Sequence, residues 1–309
     1  TTRAEDPARN DLFDARDNLL TQLSEEIGIR TAVRGDDDMV IYTDSGVTLF
    51  EKIARPVDFE PTLIYQPGAI GGAVLVDGVA VTGSNAPMPL REGRLAGLAR
   101  LRDDLAPQVQ GHLDEVARGL IEVFAETDQS IPATLPEATG LFTYSGGPGL
   151  PPAGTVLTGL AGDISINAAV DPGQGGDPLR LRDGGIAGAA YLYNQSGAAG
   201  YSARLRELTG DLNSTRGFDL AAGLGDQATI AGFSASAAGW LAETRSTAHA
   251  EVDYHTTLKE RASLTLSHRT GVNIDEELTN LLDLERSYQA SARLLSAVDN
   301  MYTALFSAV

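Results

Sequence analysis

From Asn273 to Ala308 the chain places an apolar residue at every seventh position. Ile274, Leu281, Tyr288, Leu295 and Tyr302 form the row. Leu284, Val298 and Leu305 line one flank, and Leu278, Ala292 and Phe306 line the other. A strict apolar repeat held over about four to five heptads belongs to a helix that supercoils against another helix. It commits the segment to one long amphipathic helix, and no earlier part of the chain is an obvious mate for it. An ordinary core helix of a bundle is the competing reading. Globular helices average about 11–12 residues, so length argues against it. A seam of this kind at the chain end predicts a docking device, and an assembly protein before an enzyme. Its start is marked by Gly271, by Asn273 as N-cap and by Glu276 at capping-box spacing, with Asp275 to Glu277 at the positive end of the helix dipole.

Composition narrows the function classes. Lys plus Arg number 23 and Asp plus Glu 42, a net charge of −19. That disfavours nucleic acid and anionic membranes as partners. The absence of cysteine removes disulfides, thiolate catalysis and zinc–cysteine sites. No apolar run approaches the roughly 18 residues that span a bilayer, so no membrane insertion is expected. The opening Thr1-Thr2-Arg3-Ala4-Glu5-Asp6 is not a signal peptide and has no initiating Met, which suggests a piece of a longer protein.

Leu12, Ala15, Leu19, Leu20, Leu23 and Ile27 predict a helix from Asn10 or Asp11 to Ile27, ended by Gly28. Strands are expected at 30–34 and 39–43 around the turn Gly35–Asp38, and at 47–50. Val74-Leu75-Val76, Asp77-Gly78 and Val79-Ala80-Val81 form a hairpin signal, since Asp-Gly suits a type I′ turn. A helix is expected over 91–126, kinked or broken near Ala106 by Pro107. Residues 127–163, rich in Gly and Pro, read as a small β excursion or an extended loop, with short strands at 141–144 and 155–160. Residues 171–185 read as another loop. Helices return at 200–216, 228–269 and 273–308. The fold class expected is therefore α+β: elongated, with long bundle- or coiled-coil-like α-helices and an interposed antiparallel β region.

Little points to chemistry. His249, His255 and His268 fall on one expected helix at spacings that do not form a zinc-binding i, i+4 pair, and His112 stands apart. Asp36 to Asp38 lack the spaced ligands of a calcium loop. Gly146-Gly147-Pro148-Gly149 lacks the Lys and Ser/Thr of a phosphate loop. No catalytic residue, metal ligand or cofactor is expected.

Several segments resemble a known family. Gly271-Val272-Asn273-Ile274-Asp275-Glu276-Glu277-Leu278, Ser287-Tyr288-Gln289-Ala290-Ser291-Ala292-Arg293 and Asp299-Asn300-Met301-Tyr302 are similar to the C-terminal helix of bacterial flagellar axial proteins. Asn10 to Leu20, Gly93 to Leu98 with Arg102-Asp103, and Asp163-Ile164-Ser165-Ile166-Asn167 resemble the FlgK family of flagellar hook-associated proteins. The family's N-terminal helical region does not precede Thr1, and 127–163 is short for its outer β domain.

The resemblance implies a structural subunit joining hook to filament. It would be exported by the flagellar type III apparatus and located in the extracellular flagellum. The implied partners are other copies of itself in a ring, the hook protein, the second hook–filament junction protein and an export chaperone guarding the last helix. The implied divisions are 1–126 and 171–272 as parts of an inner domain, 127–170 as an outer excursion, and 273–309 as the heptad helix. The assembly and chaperone face would comprise Ile274, Leu278, Leu281, Leu284, Tyr288, Leu295, Val298, Tyr302 and Leu305. The alternatives are a secreted hydrolase or carbohydrate-binding module on residues 127–163, or another axial subunit of hook or rod.

Overall fold

The computed structural model describes residues 7–35, 38–270 and 274–307, with side-chain surroundings for 11–35, 38–268, 277–301 and 303. The expected cap residues Gly271–Asn273 lie outside the described residues, as do the side-chain surroundings of Glu276 and residues Asp36 and Asp37 of the first turn. The chain divides into two units, Thr1–Trp240 and Leu241–Val309. The α+β class is observed: long helices accompany several small antiparallel sheets.

The first unit opens with helix α1 (Pro7–Glu26) and a four-stranded meander, β1 (Ile29–Val33), β2 (Met39–Thr43), β3 (Thr48–Glu51) and β4 (Ile53–Ala54). Of the α1 stripe, only the foot at Ile27 is buried, while Leu12 and Leu19 are exposed. A second sheet follows, ordered β5 (Val57–Phe59), β6 (Val74–Val76) and β7 (Val79–Ala80). Asp77 and Gly78 both adopt positive φ, as the Asp-Gly signal requires. Ile27, Val47, Leu49, Val76, Val81 and Leu90 form the core here.

The expected 91–126 helix is α2 (Arg94–Arg100), a π-helical turn (Leu101–Leu105) and α3 (Ala106–Val123). Pro107 does not break it. The backbone stays helical at Arg100, Leu101, Leu105 and Ala106, and Pro107 sits in the first turn of α3. The π turn just before it changes the hydrogen-bond register where the proline has no N–H to give. Gly93, at the start of α2, has φ near 91°, and a Cβ there would lie 2.8 Å from the Glu26 carbonyl oxygen, so only glycine lets α1 and α2 meet.

α3 is the central helix of this unit. From Asp114 onward it is buried on almost every side, including Asp114, Glu115 and Arg118, and His112 is buried just before. Parts of residues 141–164 pack against this helix. β8 (Phe142–Thr143) pairs with β9 (Ser165–Ile166), and α4 (Leu160–Asp163) seats Leu160 on Ala117 and Ile121. The strand expected at 155–160 is absent: those residues form turns leading into α4, fixed by side-chain acceptors rather than by a ladder. Residues 171–185 hold short helical turns, including α5 (Arg180–Asp183). α6 (Ala203–Leu212) and the pair β10 (Arg216–Gly217) and β11 (Gln227–Ala228) lead to α7 (Ile230–Thr270). Phe233 of α7 stacks on Phe218, with ring centroids 4.0 Å apart. The last helix is α8 (Ile274–Ser307).

Candidate assembly surface

The first unit is closed by carboxylates that hold irregular backbone. Asp114 accepts the amide N–H groups of Gly159 and Ala161, each at 2.8 Å. Glu126 accepts from Ile186 at 3.2 Å and Ala187 at 2.8 Å. Burial pushes its pKa up, and the two N–H bonds together with the Arg204 charge oppose that. Asp128 accepts from the Ser130 hydroxyl and from the N–H groups of Ser130, Thr134 and Leu135, which hold its carboxyl well below the usual range. Asp219 accepts from Val156 and Ala221. Each of these acids serves the fold as a backbone acceptor. Asp114 and Asp219 hold the same turns at residues 156–161, while Glu126 and Asp128 hold other loops.

Of the histidines, only His112 has such a backbone partner among the described residues. His112 Nε2 lies 2.7 Å from the Ala222 carbonyl oxygen, and its ring meets Trp240 edge-on with centroids 5.0 Å apart. His249, His255 and His268 are exposed along α7. Among the described residues, no group of three or more His, Cys, Asp or Glu is arranged to hold a metal ion. Likewise, no described helix is long and apolar enough to cross a membrane.

The second unit is different. From Leu241 to His268 every side chain but Thr244 is exposed, and so is every described side chain of α8. Among the expected seam residues, exposure runs from 44% at Val298 to 76% at Tyr288, with Leu278, Leu281, Leu284 and Leu295 between. α8 is one unbroken helix, so residues seven apart share a face and the seam is continuous. Ile274, Tyr302 and Leu305 continue the row by sequence, but their side chains lie outside the described residues. Leu282, Leu294 and Met301, off the expected row, are also exposed. Fully burying a Leu or Val side chain contributes about 1.5–3 kcal/mol, so this surface is a large unused source of binding free energy.

Residues 1–130 match the family model described as the flagellar hook-associated protein FlgK helical domain. Residues 268–307 match the model described as the flagellar basal body rod FlgEFG protein C-terminal. Together the two matches support a FlgK-family flagellar hook-associated protein. No curated protein and no solved structure matches the chain. Its place in this family makes it a structural component of the flagellum. The FlgK-like segments then gain a physical reading. Gly93 permits the α1–α2 junction. Arg102 clasps Asp103 at 2.6 and 2.9 Å and donates to the Gly72 carbonyl at 2.8 Å, tying the π turn to the loop before β6. Asn167 donates its backbone N–H to Leu141, extending the β8–β9 pair.

Sequence reasoning missed the buried polar face of α3. Asp114, Glu115 and Arg118 interrupt the apolar spacing that defines the helix, and only their partners in distant loops account for them.

Proposed function

We propose that the chain is a non-enzymatic subunit of the extracellular hook–filament junction and that α8 is its assembly face. Leu278, Leu281, Leu284, Tyr288, Leu295 and Val298, with Ile274, Tyr302 and Leu305 continuing the row, meet helices of neighbouring subunits. The observation that carries this reading is the unbroken exposed seam on α8. Copies arranged in a ring need heterologous contacts, and a terminal helix with a single apolar stripe supplies one side of such a contact. The hook protein and the second junction protein flank the ring. Before type III export, a cytoplasmic chaperone covers the same stripe, because an exposed stripe of this size promotes premature association. In this reading residues 273–309 act as a segment apart from the folded body.

Deletion of residues 274–309 tests the proposal. The body should keep its cooperative unfolding transition, while chaperone binding and incorporation into flagella are lost. Unchanged chaperone affinity after the deletion refutes the role given to α8.

A further inference from the structure

The two larger sheets of the first unit each have one edge strand whose unpaired charges are opposite in sign to the other's. β1 is an edge of the four-stranded sheet and β5 is an edge of the three-stranded one. Among the described residues, no backbone hydrogen bond reaches 29–33 except the ladder to β2, and none reaches 57–59 except the ladder to β6. β1 is exposed beyond Ile29, and β5 is exposed throughout. Arg30 on β1, and Asp58 and Glu60 on and just after β5, are exposed and make no side-chain hydrogen bond or ion pair with any described residue. Val33, Val57 and Phe59 are at least half exposed.

We propose that β1 of one copy docks antiparallel on β5 of the next, with Arg30 opposite Glu60 and Val33 opposite Val57. This rests on the axial-subunit reading for the identity of the occupant. In this register one face pairs Arg30 with Glu60 and brings Asp58 diagonally within reach. The other face pairs Val33 with Val57 and Thr31 with Phe59. Cross-strand pairs of both kinds stabilise a sheet, and like charges directly opposite destabilise it. The charges also bar the wrong partners. Two β5 edges meeting would oppose carboxylates, and two β1 edges would oppose guanidinium groups, whereas β1 on β5 satisfies both. The contact is head-to-tail, so each bound copy presents a fresh β1 and a fresh β5, and a row or ring of subunits grows.

The chain has no cysteine, so a disulfide reports the contact cleanly. The full chain carrying Val33→Cys and Val57→Cys should give, on mild oxidation at high protein concentration, a ladder of disulfide-linked oligomers. Arg30→Glu in the same chain should cut the ladder several-fold, and adding Asp58→Arg with Glu60→Arg should restore it. Substitutions at these exposed positions should leave the unfolding midpoint unchanged. No ladder above that of a Val33→Cys and Leu12→Cys control, or a charge reversal that fails to restore it, overturns the proposal. Substituting Leu281 in the tail should leave the ladder intact, so failure of the β-edge contact and failure of the α8 reading are told apart.

Discussion

Glu115 and Arg118 lie one turn apart on α3 and pair through two hydrogen bonds of 2.8 and 2.7 Å, with neither side chain more than 2% exposed. Arg118 also donates to the Gly217 carbonyl at 2.7 Å, and Glu115 accepts from the Asp219 N–H at 2.8 Å. The pair therefore fastens the loop after α6 to the central helix. Arg118→Ala leaves a buried carboxylate without its counter-ion and should cost about 3–5 kcal/mol. Trp240, the sole tryptophan, packs on His112 of the same helix and makes fluorescence a direct readout of urea unfolding. Glu115→Leu combined with Arg118→Met should recover part of the loss, because the fully buried carboxylate leaves with its counter-ion, while Glu122, which also pairs with Arg118, keeps Arg216 at 3.7 Å.

Asp114 should matter through the loop it holds. Asp114→Ala orphans the N–H groups of Gly159 and Ala161 and should destabilise the first unit by about 1–3 kcal/mol. Hydrogen exchange should show the amides of Gly159 and Ala161 losing protection before the α3 amides.

Two acids should respond to pH in opposite directions. The Arg182 guanidinium, aided by the Asn194 amide, holds the Asp183 carboxyl at about 2. A depressed folded value contributes stability above the ordinary carboxylate range, and the contribution is lost as pH falls from about 4 towards 2. Glu126 is raised by burial, so folding favours its protonated form. Its contribution to stability falls as pH rises from the ordinary range through the raised value. Carboxyl NMR titration should place Asp183 near 2 and Glu126 above an ordinary glutamate. Arg182→Gln should shift Asp183 upward and leave Glu126 where it is.

Legibility in the sequence followed the locality of the cause. The β6–β7 hairpin is written in two residues, Asp77 and Gly78, whose positive φ values need no distant partner. α1, α7 and α8 are written in apolar spacing and length. What escaped was non-local. Pro107 read as a kink or a break, because the preceding π turn that keeps the backbone helical leaves no pattern in the side chains. Residues 155–160 read as a short strand of a β excursion, with Val156 and Leu157 as its apolar pair, yet Asp114 and Asp219, far away in sequence, capture their backbone as turns. The seam on α8 was legible as a stripe, and its exposure is a property of the fold.

Proteolysis should follow the contrast between the two units. With nearly every side chain from Leu241 to His268 exposed, limited digestion should cut α7 beyond Trp240 and α8, leaving a resistant product that ends near Trp240. Mass spectrometry of the product gives its terminus directly, and early cuts within α3 or β6 would contradict this picture.

An α8 seam that other subunits cover should fail once it is made polar. Replacing Leu281, Leu284, Tyr288 and Leu295 together by serine in the bacterium that makes this protein tests it most directly, with filaments per hook counted by electron microscopy. The purified variant should keep its Trp240 unfolding midpoint, and the hooks should carry no filaments. Filaments in normal number on the variant's hooks would contradict it.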